Sequence, residues 1–170
     1  MTSHPDPTEY PEYYGRYISQ VPQGDIVTIL EQERDAALAL LNGLPPAKAD
    51  FRYAPGKWNI KEVLGHVIDA ERIFAYRALR FARNDKTPLP GFEQDDYMPH
   101  ARFGDRELGD LIREFATVRQ ASLFLFRPLD TAAWDRRGTA SGGEISVRAL
   151  AYVLAGHEIH HRRILETRYL

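Results

Sequence analysis

Residues 146–164 read SVRALAYVLAGHEIHHRRI, and their spacing decides the fold. Val147, Leu150, Leu154, His157, His161 and Ile164 follow one another at intervals of three and four, the pattern of one inward helical face. The helix is expected to start at Ser146 or just before it and to run to the chain end, and two of its core positions are histidines. Residues at i and i+4 lie one turn apart on the same face, so the two imidazoles can converge on a single ion. A buried neutral imidazole without a partner costs roughly 1–3 kcal/mol, and metal ligation gives both rings a partner. His160 lies about 60° round the helix from His157, at the edge of the seam, and is the poorer ligand.

Three more helical stretches lie upstream. One runs from about Asp25 to Asn42, with apolar Ile26, Ile29, Leu30, Ala37, Leu40 and Leu41, a cap at Asp25, and a stop at Gly43 and the Pro45-Pro46 pair. A second starts at Asn59, whose capping-box partner is Glu62, and continues to about Arg83, about 36 Å of helix. A third starts near Asp105 and continues to Pro128, with Leu108, Leu111, Ile112, Phe115, Val118, Ser122 and Leu125 on its inner face. Four long helices in 170 residues predict an all-α four-helix bundle as a single domain over residues 1–170, with an N-terminal arm at 1–23. The links at 44–58, 84–104 and 129–145 exceed the usual two to eight residues, so long crossover connections are expected. The longest, NDKTPLPGFEQDDYMPHARFG, is a candidate lid over the site mouth, or an ordered loop packing Phe92, Tyr97 and Phe103 onto the helices. Tyr10, Tyr13, Tyr14 and Tyr17 are read as an extended arm packed on the bundle.

Composition narrows the chemistry. Lys and Arg total 22 against 24 Asp and Glu, and the pI is near 6.3, so no nucleic-acid partner is expected. Cysteine is absent, which removes disulfides, thiolate nucleophiles and thiolate ligands, and leaves nitrogen and oxygen for any metal. The opening MTSHPDPTEYPEYYGRY lacks a basic and then apolar leader, and no stretch approaches the length of a membrane span. A cytoplasmic protein is expected.

A third ligand must come from upstream, and His66 is the candidate, in line with Val63, Ala70 and Ile73 inside the second long helix. His4 and His100 lie on the terminus and the long loop, where no rigid element positions them. One plus two imidazoles match a three-histidine divalent site with an open position. Glu62 and Asp69, four before and three after His66, are candidates to orient its ring or a bound water, with surface pairing to Lys61 or Arg72 as the alternative. Residues 157–161 also spell H-E-x-x-H. Only nine residues follow and no upstream edge strand is evident, which argues against a zinc protease. Glu158 points about 100° away from His157, which suits a supporting or surface role better than that of a general base.

The stretches WNIKEVLGHVIDAERIFAYRALRFARND, TPLPGFEQDDY and SVRALAYVLAGHEIHHRRILETRYL together resemble the DinB-like, or YfiT-like, superfamily of bacterial four-helix metalloproteins. The likeness runs from about Gly24 to Leu170. It implies that one divalent ion, commonly zinc or nickel, is held by His66, His157 and His161 with water in an open place. Some relatives transfer low-molecular-weight thiols such as bacillithiol or mycothiol to electrophiles, or use a thiol in isomerisation.

The leading functional expectation is a metal-dependent enzyme acting on a small-molecule substrate by transfer of such a thiol to an electrophile. Arg72, Arg77 and Arg162 are candidates to meet its carboxylates. A metal-dependent hydrolase and a non-catalytic metal or small-ligand binder are the alternatives, and a helical dimer tied by its histidines is a third. A homodimer is expected, formed through the tyrosine arm and the apolar run Leu123, Phe124, Leu125 and Phe126.

Overall fold

The computed structural model describes residues 3–170, so the first two residues of the expected arm lie outside it. Seven α-helices and one hairpin follow in order: α1 (Gly15–Ile18), α2 (Ile26–Asn42), α3 (Ile60–Ala82), α4 (Gln94–Ala101), α5 (Leu108–Phe126), α6 (Thr131–Asp135), β1 (Arg137–Ala140), β2 (Gly143–Ser146) and α7 (Val147–Ile164). The long helices begin where capping chemistry places them. The Asp25 side chain accepts from the Thr28 N–H, Asn59 and Glu62 form a reciprocal capping box, and Ser146 accepts from the Ala149 N–H. The α5 helix starts later than expected, because Phe103–Asp105 first makes a 3-10 turn that buries Phe103.

Each of α2 and α3 packs against both α5 and α7, so the four long helices form a bundle with α2 and α3 on one diagonal. Two apolar clusters fill it. One holds Ile26, Leu30, Phe74, Phe81, Leu150 and Leu154, and the other Ile60, Leu64, Ile68, Leu111, Phe115 and Leu165. Arg119 on α5 and His161 on α7 fall, along their helices, between residues of one cluster and residues of the other.

Four expectations need correction. The chain is mostly helical rather than all-α: residues 137–146 form an antiparallel hairpin, with Arg137 opposite Ser146 and Ala140 opposite Gly143. Its two-residue turn has positive φ at both Ser141 (53°) and Gly142 (78°), the geometry that matches the twist of paired strands. The final helix does not continue to the chain end. After Ile164 it widens into a π-type turn over Leu165–Tyr169, held where the Tyr169 hydroxyl donates to the Trp58 carbonyl at 2.6 Å. The tyrosine arm is coiled rather than extended: α1 packs on α7, because Gly156 has no side chain and lets the Tyr17 carbonyl approach the helix. The proposed dimer patch is mostly interior, since Leu123 and Phe126 are fully buried and only Phe124 is well exposed.

Candidate metal centre

The helix α3 carries His66 on its inward face and α7 carries His157 and His161 one turn apart. Packing of α3 on α7 brings the three rings together: their ligand atoms lie within 4.8 Å of one another, and Nε2 of His66 is 3.0 Å from Nε2 of His157. Nitrogens bound to one tetrahedral zinc at about 2.1 Å stand roughly 3.4 Å apart, so the trio fits one ion. His66 and His157 are buried and His161 is half-buried. Burial pushes the His66 ring down to about 4. Burial and then its histidine neighbours push His161 to about 3, and hold His157 well below the usual range. All three are therefore neutral at pH 7, the ligating form.

Aromatic rings fix these imidazoles in place. Trp58 lies 5.0 Å from the His66 ring, and Tyr17 and Phe74 contact His157 edge-on at 5.3 and 5.9 Å. His160 stays apart, facing the Gln20 side chain and the Tyr17 ring. His4 packs on Tyr152, and His100 is exposed on α4.

The carboxylates near the rings are ion-paired, and for Asp69 the partner is the arginine that the sequence offered as the alternative. Glu62 is held by its capping box and by a two-pronged pair with Arg52 at 2.6 and 3.0 Å, and Asp69 lies beside Arg72. Both carboxylates thus have a cationic partner. Of the two roles the sequence offered Glu158, burial excludes the surface one. Glu158 faces Arg119 and Arg162, and burial, partly opposed by those two arginines, raises it to about 7. Beside it Arg119, with no exposure, donates to Glu71 at 2.9 Å and to the Leu30 carbonyl at 3.1 Å. This buried ion pair was not anticipated. Its members sit 48 residues apart on different helices, and neither helix alone signals it.

A cavity of about 380 Å³ opens from His66 and His157. Its walls are Tyr13, Tyr14 and Tyr17 from the arm, Phe74 from α3, Phe92, Glu93 and Gln94 from the long loop, and Ala140 and Ser141 from the hairpin. The long loop therefore borders the site mouth. Phe103 at its far end is wedged against Gly65, where a Cβ would meet its ring at 2.3 Å. Of the three candidate arginines, Arg72 pairs with Glu114, and the largely covered Arg162 pairs with Glu33. Only Arg77 stands at the cavity, where it contacts Ser141.

The sequence matches the model of the DinB superfamily over residues 29–165. The chain belongs to the DinB superfamily. Among solved structures, this DinB chain is similar to YfiT from Bacillus subtilis, described as a probable metal-dependent hydrolase with an unusual four-helix bundle topology. The identity is 16%, with 92% of this chain and 86% of that one covered and a TM-score of 0.71. It is also similar to a mycothiol-dependent maleylpyruvate isomerase at 12% identity and a TM-score of 0.65, over 81% of this chain and 58% of that one. No curated protein matches the sequence. At these identities the likeness speaks to the fold. Among the described residues, no helix is long and apolar enough to cross a membrane.

Proposed function

We propose that the protein is a metal-dependent enzyme in which His66, His157 and His161 hold one zinc or nickel ion and a low-molecular-weight thiol is transferred to an electrophile. The observation that carries the reading is the convergence of three neutral imidazoles, two of which, His66 and His157, line an aromatic-walled cavity. Three protein ligands leave a place for a small molecule. A divalent ion there supplies a Lewis acid that lowers the pKa of a coordinated thiol, ordinarily near 8.5, so that the anion is available at pH 7.

The chain's own residues do the rest. Desolvation keeps the three ring nitrogens unprotonated. The edges of Tyr17 and Phe74 fix the His157 ring and exclude water on that side. Glu93 is the carboxylate on the wall and in this reading accepts the thiol proton. The sulfur then bonds to the electrophilic carbon as the leaving group departs with its bonding pair. The absence of cysteine fits a reaction in which the substrate brings the thiol, and a mycothiol-dependent neighbour lends it support. Hydrolysis at the same site is the second reading, favoured by the description of YfiT.

Bacillithiol, mycothiol, glutathione and coenzyme A, each offered with a chloroarene or an epoxide, test the proposal. Acceleration of one pair by the zinc- or nickel-loaded protein supports transfer. No acceleration, together with an unchanged absorption of the nickel form on adding thiol, refutes it.

A further inference from the structure

Among the described residues Arg77 has no counter-ion. It is 1% exposed, its Nη2 donates to the Pro90 carbonyl and to the Ser141 hydroxyl, both at 2.9 Å, and its Nε is buried with no partner. Among the described residues no carboxylate lies within ion-pairing distance of it, whereas Arg119, the other arginine as deeply buried, is paired with Glu71. A guanidinium removed from water without an anion is costly, and a bound anion would offset that cost.

Its position is specific. Arg77 lies eleven residues beyond His66 on α3, which is about three turns and 16 Å of rise, and returns to within about 20° of the same face. Ala70 and Phe74 on that stripe line the cavity. The guanidinium stands behind the cavity wall, 5.8 Å from the Phe92 ring centroid and bonded to Ser141, and both residues are part of the lining. Because the Ser141 oxygen accepts from Arg77, its own O–H is left to donate, backed by a full positive charge. Three segments converge to build this point. Gly91 of the long loop lies against Ser141, the Ser141 N–H donates to Leu89, and the hairpin turn holds Ser141 at positive φ. On the arm side the exposed Arg16 lies over the rings of Tyr13 and Tyr17, two residues of the lining, 3.8 and 5.0 Å from their centroids.

We propose that the cavity takes a substrate with an apolar or aromatic body and a terminal carboxylate, and that this carboxylate is anchored by the Ser141 hydroxyl with Arg77 behind it, at the end of the cavity away from the histidines. The inference rests on the reading of the histidine trio as the reacting end. Ser141 makes the contact and Arg77 is a positioning residue that orients and polarises it.

The test is calorimetric titration of the full-length protein with 4-phenylbutyrate and with 4-phenylbutanamide, which differ in charge and little in size. Each titration is made with one equivalent of zinc and again after chelation. The acid is expected to bind about tenfold more tightly than the amide in both forms, the scale of a charge-assisted hydrogen bond. Ser141→Gly, which suits the positive φ and removes the hydroxymethyl group, is expected to bring acid and amide within about twofold, chiefly through weaker binding of the acid. Arg77→Met should do the same. If that variant does not fold, Ser141→Gly alone decides. Equal binding of the two probes, no binding of the acid at millimolar concentration, or a preference surviving Ser141→Gly overturns the anchor. A preference seen only with zinc also overturns it, and places the acid on the metal. A preference that persists in a protein unable to take up zinc upholds the anchor and overturns the metal reading instead.

Discussion

Nε2 of His66 and Nε2 of His157 stand 3.0 Å apart although 91 residues separate them in the chain. Two neutral imidazoles at that distance satisfy each other only in part, since one nitrogen donates and the other accepts, and the half-buried His161 closes the group. A cation at their common focus satisfies all three. The site is thus a place where folding has gathered lone pairs at the expense of easy protonation.

That expense is measurable in metal-free protein. The folded pKa values of His66 and His161 lie near 4 and 3, below the unfolded value near 6.5, so between these limits the unfolded chain binds more protons than the folded one. Stability from these rings is complete above about pH 6.5 and falls as pH drops toward 4, by up to about 1.4 kcal/mol per pH unit for each titrating ring. Urea midpoints from pH 8 to pH 4 should show this decline, and His66→Gln should flatten it. A wild-type curve parallel to that of the variant would contradict the assignment.

Arg119→Met leaves the Glu71 carboxylate buried without its cation. The expected cost is about 3–5 kcal/mol, with part of it recovered in the double variant Arg119→Met, Glu71→Gln. A double-mutant cycle on urea midpoints checks the coupling, and additive costs would refute it.

Gly156→Ala places a methyl 2.1 Å from the Tyr17 carbonyl oxygen, which is backbone and cannot swing aside. The α1 helix must lift from α7, carrying Tyr17 off the edge of His157. A loss of about 1–3 kcal/mol and faster proteolysis after Arg16 are expected. Unchanged cleavage would mean that the arm does not depend on this contact.

How much of this could be read from sequence depended on whether the signal was local. The long helices are announced by periodic apolar residues and by caps at Asp25, Asn59 and Ser146, all within a few residues of one another. The histidine trio was legible for the same reason, since each ring occupies a core position of its own helix. The hairpin was missed because its strands are four residues each, too short to show alternation, although Ser141-Gly142-Gly143 carried a turn signal. Arg77 and Arg119 were missed as interior residues because periodicity treats charge as outward-facing. What takes them inside is a partner on another segment, Ser141 for one and Glu71 for the other. Leu123 and Phe126 erred the opposite way, since an apolar helix end reads as a sticky patch until the bundle covers it.

The long loop supplies Phe92, Glu93 and Gln94 to the cavity while the surface of α4 stays exposed. Hydrogen exchange across residues 84–104 should slow when a ligand fills the cavity. Identical protection in the free and bound protein would rule out a lid.

The most direct test of the central claim is metal content by mass spectrometry on protein purified without a histidine tag, then offered zinc or nickel and dialysed. The account predicts about one ion per chain, most of it lost in each of His66→Ala, His157→Ala and His161→Ala, and none retained by the triple variant. A triple variant that still holds a full equivalent, or a wild-type protein that retains no ion, would contradict it.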